Sequence, residues 1–333
     1  MRYNNIAIVK LSALGDIVHS LPALTVIRSE FPASSITWFA EPRGAELLRN
    51  FSGIDNIVKV DLKTGSLLSR FRNLLKILSD HRGKFDIIID FQGLLKSAVF
   101  ARLLGKNTLG FNKTNLKESA AGLFYKETSA PFDDKNHVIR KNIHLLNFAG
   151  LFSDDIVYPL KALSFTKTTE QFLKNAVLEP GKYVILNVGG GWDTKLLSVV
   201  QNMKILSDID QKYKKVVLWG NSREEEKADL LSKGPEIIKA PFLNFTDLIL
   251  FISNAGFIIS ADSLPLHIAD ATGTRSVGVF GPTSPARNGT LNNDSLSVVK
   301  EIDCSFCYKR TCSHKSCIEE LDISRITDFV NRG

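Results

Sequence analysis

The sequence predicts an α/β protein built from two doubly wound αβα domains. Three observations support this prediction. Short apolar strands alternate with amphipathic helices, the alternation weakens between residues 133 and 178, and a second series of strands begins beyond it. The length of 333 residues also suits two domains of ordinary size. We expect Rossmann-like domains at residues 1–165 and 166–318, facing one another across a cleft.

The first domain begins with a nearly continuous apolar run at residues 5–9, which is typical of a buried parallel strand. Ile17, Leu21, Leu24 and Ile27 then recur at helical spacing, with Pro22 placed early, where a helix tolerates proline. Further strands are predicted at 35–39, 57–60 and 85–90, and further helices at 44–49, 66–80, 93–104 and 136–151.

The second domain repeats the pattern, with helices between most of its strands. We predict strands at residues 183–186, 216–219, 236–238, 257–260 and 276–280. Ligands of open α/β sheets bind beyond the carboxyl ends of the strands. The loops at those ends are therefore the first places to look for functional residues.

Composition excludes several classes of protein. Hydrophobic residues make up 44% and charged residues 23% of the chain, which excludes disorder, collagen and a small disulfide scaffold. No apolar run is long enough to cross a membrane, and the amino terminus reaches Asp16 too soon for a signal peptide. We expect a cytoplasmic protein. The net charge of +7 favours an anionic partner, but aromatic interleaving and a nucleic-acid motif are absent, so nucleic acid is not expected.

Asp16 lies in the turn between the first strand and its helix. Its carboxylate has two interpretations: a favourable partner for the helix dipole, or a general base facing the cleft. The spacing alone leaves both open. The turn lacks the Gly-x-Gly-x-x-Gly pattern of a dinucleotide site.

Three loops of the second domain carry residues suited to an anionic ligand. Residues 189–195 combine three glycines with a lysine, residues 260–268 carry an acid and a histidine at a helix start, and residues 280–285 follow the next strand. The candidates are Gly190, Lys195, Asp262, Ser263, Leu264, His267 and Thr283. Taken singly, each loop also suits a plain structural role, as a flexible turn or a helix cap.

Glu224 belongs to another loop of this kind, the segment WGNSREEE that follows the predicted strand at residues 216–219. A carboxylate at a helix start can hold ribose hydroxyls, and it can equally serve the helix dipole.

Five segments together resemble glycosyltransferase family 9, the heptosyltransferases of lipopolysaccharide core assembly. They are IVKLSALGDIVHSLPAL, DFQGLLKSA, WGNSREEE, SADSLPLHIADATGT and VGVFGPTSP, spread over residues 8–285. DFQGLLKSA and RKNIHLL look more like heptosyltransferase I than II. The resemblance implies a GT-B fold, an ADP-heptose donor, a Kdo-lipid A acceptor and inverting transfer that needs no cofactor for catalysis.

The resemblance also implies roles for individual residues. Asp16 matches the catalytic base, Lys195 the lysine that contacts the diphosphate, and Glu224 the acid that contacts the ribose. Asp262 and His267 match residues near the heptose, while Ser263 and Leu264 supply amides to the diphosphate. Two departures bear on donor identity: Ser263-Leu264-Pro265 stands where the family often has Thr-Gly-Leu, and the run after Lys195 lacks the frequent Trp-Pro.

The first domain carries a concentration of basic residues suited to Kdo carboxylates and lipid A phosphates. The expected acceptor-binding residues are Lys63, Arg70, Arg72, Gln92, Lys96 and Lys117. The amphipathic segment 67–78 could also rest peripherally on the inner leaflet of the cytoplasmic membrane, or it could be a solvated basic helix.

Four cysteines lie close together near the carboxyl terminus, at Cys304, Cys307, Cys312 and Cys317. A structural zinc or iron site is one interpretation, and reduced thiols or a disulfide is the other. By resemblance to other GT-B proteins, a helix within residues 319–333 is expected to pack back on the first domain. The alternative functions are transfer with another donor or acceptor, as by heptosyltransferase II or a capsule or protein glycosyltransferase, and non-catalytic binding of a nucleotide sugar.

Overall fold

The computed structural model describes residues 3–234 and 236–333, apart from the side chain of residue 149. The chain divides into two units, Met1–Lys161 and Ala162–Gly333. The boundary lies four residues before the predicted one, at the end of the weakly patterned stretch. Each unit contains one six-stranded sheet in which every paired strand is parallel.

The first unit is a doubly wound sheet with helices. Its strands are β1 (Asn5–Val9), β2 (Ser35–Ala40), β3 (Asn56–Lys59), β4 (Ile87–Asp90), β5 (Thr108–Gly110) and β6 (Glu127–Thr128), in the order β3-β2-β1-β4-β5-β6. Its helices are α1 (Leu14–Val18), α2 (Leu21–Glu30), α3 (Pro42–Leu48), α4 (Leu67–His81), α5 (Leu95–Leu104) and α6 (Val138–Leu145), with 3-10 turns at Lys113–Asn115, Ser119–Phe124 and Leu146–Ala149.

The second unit has the same topology. Its strands are β7 (Tyr183–Asn187), β8 (Lys214–Leu218), β9 (Ile237–Lys239), β10 (Phe257–Ala261), β11 (Ser276–Phe280) and β12 (Leu296–Val299). Read from β9 to β12, the order is β9-β8-β7-β10-β11-β12, which repeats the first sheet strand for strand. This is the Rossmann order, and it confirms the predicted fold class.

The helices of the second unit are mostly nine or ten residues long. They are α7 (Lys167–Asn175), α8 (Val199–Asp208), α9 (Ser222–Leu231), α10 (Phe245–Ser253), α11 (Leu264–Thr272), α12 (Pro285–Asn288), α13 (Ser316–Glu319) and α14 (Ser324–Arg332), with a 3-10 turn at Asp193–Lys195. No helix of the described ranges is both long and apolar enough to cross a membrane.

One predicted helix is divided in the structure. The single helix expected across Ile17 to Ile27 is divided into α1 and α2, because Pro22 lacks an N–H and starts the second helix rather than continuing the first. In the carboxyl-terminal helix α14, Ile326 and Val330 join the hydrophobic core of the second unit. The predicted packing of this helix on the first domain stays a prediction.

Candidate active site

The loop that carries Asp16 follows β1, a strand whose last four residues are buried. Strand β1 lies between β2 and β4, so this loop starts from the middle of the first sheet. Asp16 lies half-buried in the first turn of α1, and its Oδ2 accepts a hydrogen bond from the Ala13 N–H at 3.3 Å. The carboxylate therefore stays close to its own helix start, at the carboxyl edge of the sheet.

Gln92 fixes the backbone of this loop. Its Oε1 accepts hydrogen bonds from the N–H groups of Leu11 at 3.1 Å and Ser12 at 3.0 Å. The N–H of Gln92 in turn donates to Oδ1 of Asp90 at 2.8 Å. Gln92 was predicted to contact the acceptor. The structure shows its amide oxygen engaged with the protein backbone just before Asp16, and acceptor contact stays a prediction.

Asp90 is fully buried behind Gln92. Its Oδ2 accepts hydrogen bonds from Ser97 Oγ and Tyr125 Oη, both at 2.8 Å. Burial raises the pKa of Asp90 above its ordinary value, although these hydrogen bonds oppose the rise. The burial of Tyr125 itself, together with the neighbouring Asp90 carboxylate, raises the pKa of the Tyr125 hydroxyl far above its usual range. A buried polar network of this kind sets the geometry of the loop after β4.

Asp262 is the centre of a charged cluster in the second unit. Lys195 Nζ lies 2.8 Å from its carboxylate, and His267 Nε2 and Asn288 Nδ2 each lie 3.2 Å from it. Only 4% of Asp262 is exposed. Burial alone would raise the pKa of Asp262. The hydrogen bond and charge of His267, with the charge of Lys195, outweigh burial and hold the pKa well below its ordinary range.

The start of α11 adjoins this cluster. Ser263 occupies the cap position with extended backbone, and Pro265 stands in the first turn, where its missing N–H costs no helical hydrogen bond. The Ser263 hydroxyl lies 3.2 Å from both Asn187 Nδ2 and Ser260 Oγ and does not cap the helix. Leu264 is the first residue of α11, so its N–H has no partner within the helix and suits an anionic ligand, whereas the N–H of Leu266 already donates to Ser263 O at 3.1 Å.

Glu224 joins two neighbouring loops. Its Oε1 accepts from the N–H of Gly190 at 3.2 Å, and its Oε2 accepts from the N–H of Gly220 at 2.8 Å. A Cβ atom at Gly189 would overlap the Glu224 carboxylate, so a larger residue there would displace that carboxylate from its two amides.

Thr283, in the loop after β11, is buried, and within the described residues its hydroxyl has no hydrogen-bond partner.

The predicted acceptor-binding cations lie around α4 and α5. Lys63 Nζ and Lys96 Nζ both face Glu41, at 2.7 Å and 3.6 Å. Arg70 and Arg72 belong to α4, and Lys117 is exposed in the loop that precedes the second 3-10 turn. Glu41 therefore brings two of the predicted cations together.

The cysteine segment, residues 304–317, contains four free thiols. Cys304 and Cys307 are exposed, and Cys312 and Cys317 are half-buried. Burial raises the pKa of Cys317, and its three cysteine neighbours add to the rise. As placed, these thiols do not form a ligand set: no group of three or more histidine, cysteine or acidic residues in the described ranges could hold a metal ion. The predicted metal stays a prediction.

Comparison with known proteins identifies the family. The family model of glycosyltransferase family 9 (heptosyltransferase) matches residues 73–318, well over half of the chain. The chain belongs to glycosyltransferase family 9. It is therefore a glycosyltransferase, and the resemblance noted in the sequence is confirmed.

The relatives of this family 9 enzyme are similar over nearly their whole length. Lipopolysaccharide heptosyltransferase 1 of Campylobacter coli is 29% identical, covering 96% of this chain and 97% of the relative. The protein of the same name from Pseudomonas aeruginosa is 26% identical, covering 95% and 89%. The structure of Escherichia coli heptosyltransferase WaaC with ADP-2-deoxy-2-fluoro heptose matches with a TM-score of 0.75 at 20% identity, covering 98% and 99%. The GT-B fold is thereby confirmed.

The structure of this family 9 enzyme brings together Lys195, Asp262 and His267, which the sequence had placed in separate loops. Sequence reasoning missed Asn288, because it lies in a four-residue helix without periodicity. It also missed Asn187, although a polar residue at the end of an apolar strand was a usable signal.

Proposed function

We propose that this glycosyltransferase transfers heptose from ADP-heptose to the Kdo of lipid A, with inversion, during assembly of the lipopolysaccharide inner core. The family and the names of the relatives support this choice. The observation that carries the proposal is the cluster in which Lys195 and His267 meet the buried Asp262 carboxylate beside the start of α11. This arrangement suits the diphosphate of a nucleotide sugar.

The reaction forms one bond and breaks one. The acceptor oxygen attacks the anomeric carbon, the carboxylate of Asp16 accepts the acceptor proton, and the bond from the anomeric carbon to the diphosphate oxygen breaks. ADP leaves with additional negative charge, which Lys195 and the N–H of Leu264 at the start of α11 stabilise. A general base of this kind contributes about 10²–10⁴-fold to the rate. No step of this scheme is assigned to a metal.

The other predicted residues take supporting roles in this proposal. The carboxylate of Glu224 accepts hydrogen bonds from the N–H groups of Gly190 and Gly220. In this proposal the same carboxylate also accepts hydrogen bonds from the ribose hydroxyls of the donor. Gly190 lets the backbone approach the donor, and Ser263, Leu264 and Thr283 offer polar groups to the diphosphate. Lys63 and Lys96, with Arg70, Arg72, Gln92 and Lys117, receive the acidic acceptor.

Helix α4 supports peripheral binding to the inner leaflet of the cytoplasmic membrane. Among its fifteen residues only Ile77 is buried, whereas Leu67, Leu68 and Phe71 are 81%, 58% and 57% exposed. Basic residues lie between the exposed apolar ones. Apolar side chains that insert at the interface, flanked by cations that attract anionic lipid, are the features of a helix that lies on a membrane.

Calorimetry with a panel of donors tests the choice of substrate. We expect ADP and ADP-heptose to bind more tightly than the UDP and GDP sugars, and ADP-heptose to be consumed only when Kdo-lipid A is present. Binding of another nucleotide would support the same fold with a different donor. Donor binding without transfer to any acceptor would support the non-catalytic module. Consumption only with an acceptor that already carries heptose would indicate a heptosyltransferase II.

The zinc or iron predicted at the cysteine segment has no part in this reaction. Metal analysis of protein purified without a His tag tests that prediction, and stoichiometric absence of both metals would refute it.

A further inference from the structure

The cysteine segment lies across two of the loops described above. The N–H of Phe306 donates to Gly281 O at 3.3 Å, and the N–H of Tyr308 donates to Pro282 O at 2.8 Å. On the other side, Thr194 Oγ1 donates to Lys309 O at 2.9 Å, and Thr194 is 4% exposed. Residues 306–310 are thereby held between the loop after β11 and the glycine-rich loop after β7.

This placement brings a second cation to the ring of Trp192. Lys195 Nζ lies 4.3 Å from the ring centroid, and Arg310 Cζ lies 5.1 Å from the same centroid. Cation–π contacts of this kind hold a cation in place while leaving its hydrogen-bond donors available. Arg310 is exposed, so its guanidinium can turn its donors towards a ligand beside Lys195.

The charge balance at this place favours an anion. The ammonium of Lys195 is already matched by the Asp262 carboxylate at 2.8 Å, and Arg223 is matched by Asp193 at 2.9 Å. Within the described residues, no carboxylate lies at ion-pair distance from Arg310. Its positive charge is therefore available to a diphosphate, and a guanidinium can contact two phosphate oxygens at once.

We propose that Arg310 is a donor-binding residue whose guanidinium contacts the diphosphate of the nucleotide sugar alongside Lys195. The inference rests on the proposed function in that it takes the donor to be a nucleoside diphosphate sugar. It gives the cysteine segment a role in the donor site: the segment carries Arg310 to the ring of Trp192.

Calorimetry of the full chain with ADP and AMP tests the proposal. We expect Arg310→Met to weaken ADP binding about ten- to hundredfold, since a hydrogen bond to a charged group is lost, and to weaken AMP binding much less. Arg310→Lys keeps the charge without the bidentate geometry, so an intermediate loss is expected. The matched control is Lys309→Met, which removes an adjacent cation of the same segment and should leave ADP affinity within twofold of the parent value.

The possible outcomes separate this inference from the proposed function. Unchanged ADP affinity in Arg310→Met, or equal losses in Arg310→Met and Lys309→Met, would overturn the role of Arg310 and leave the proposed function standing. If the parent binds UDP or GDP in place of ADP, the donor assignment fails, and the same variants are then measured with that nucleotide and the corresponding monophosphate. A parent that binds no nucleoside diphosphate would overturn both proposals.

Discussion

At the scale of single residues, Asp262 shows how a buried charge is made tolerable. Its carboxylate is nearly inaccessible to water, yet three side chains from different elements donate to it. Removing one member of such a group leaves the others buried without a partner, which costs more than the pair contributes. Asp262 therefore stabilises the second unit and, in the proposed reaction, positions Lys195 for the leaving group.

We expect Asp262→Asn to lower the free energy of unfolding at pH 7 by about 3 kcal/mol. The pKa of Asp262 is lowered in the folded protein, so the unfolded chain binds the proton more readily, and the stability from this ionised group declines as the pH falls below the ordinary value of 3.8. The difference between parent and variant should shrink by about 1 kcal/mol between pH 7 and pH 3.

Urea unfolding of both proteins at the two pH values measures this difference. Asp294→Asn, which changes an exposed carboxylate of the same unit, is the control. A difference that stays constant down to pH 3 would show that the pKa of Asp262 is not lowered by its partners.

Gln92 gives a second prediction at this scale. Gln92→Leu removes the acceptor that receives the N–H groups of Leu11 and Ser12, so the loop before Asp16 loses its constraint. We expect kcat to fall about tenfold or more, because a small misplacement of a reacting group is costly. ADP affinity should not change, since the proposed donor residues belong to the second unit.

Gln92→Glu retains an oxygen for both amides and should recover most of the rate. If both variants lost activity equally, or if ADP affinity fell with kcat, a positioning role for the Gln92 oxygen would be contradicted.

The site residues that sequence reasoning found share one property. Lys195, Asp262 and His267 each stand shortly after a strong apolar strand, and the ends of parallel strands meet at one edge of the sheet. Asn288 and Trp192 carry no such signal. Their contacts with Asp262 and Lys195 arise from tertiary packing, which no local pattern records.

At the scale of elements, most strands were predictable from their apolar runs, and three short strands were missed. Strands β5, β6 and β12 have three, two and four residues, too few for a periodic pattern, and their places come from pairing with neighbours. Helix α14 shows a related limit of sequence reasoning. Its apolar stripe predicts a buried face, but the stripe does not identify the core that this face joins, which in the structure is that of the second unit.

Helix α4 yields the prediction for this scale. We expect the protein to bind vesicles that contain phosphatidylglycerol and to bind pure phosphatidylcholine vesicles much less, because cations near an anionic surface gain about 1 kcal/mol each. Phe71→Ser should weaken this binding by removing an apolar side chain that is 57% exposed. Vesicle flotation at low and high salt measures it.

The matched control for that experiment is Leu123→Ser. Leu123 is 85% exposed in the same unit but lies outside α4. Equal losses in the two variants, or equal binding to both kinds of vesicle, would contradict a membrane-binding role for α4.

At the scale of the whole molecule, the same strand order appears twice in one chain. The sequence predicted this repetition because the alternation of strand and helix stops and restarts. The observed boundary between the units lies four residues before the predicted one. The sequence locates this boundary by the weak hydrophobic pattern of the linking stretch. The arrangement of loops at one sheet edge follows from topology and could be predicted. The pairing of individual side chains depends on packing and required the structure.

The central claim is that Asp16 removes the acceptor proton while Lys195, held by Asp262, binds the diphosphate of the leaving nucleotide. Transfer of heptose from ADP-heptose to Kdo-lipid A by Asp16→Ala tests it most directly, with ADP affinity measured on the same preparation and Glu30→Gln as an exposed carboxylate control. We predict that Asp16→Ala binds ADP like the parent and transfers heptose about 10²–10⁴-fold more slowly. Turnover at the parental rate would contradict the claim.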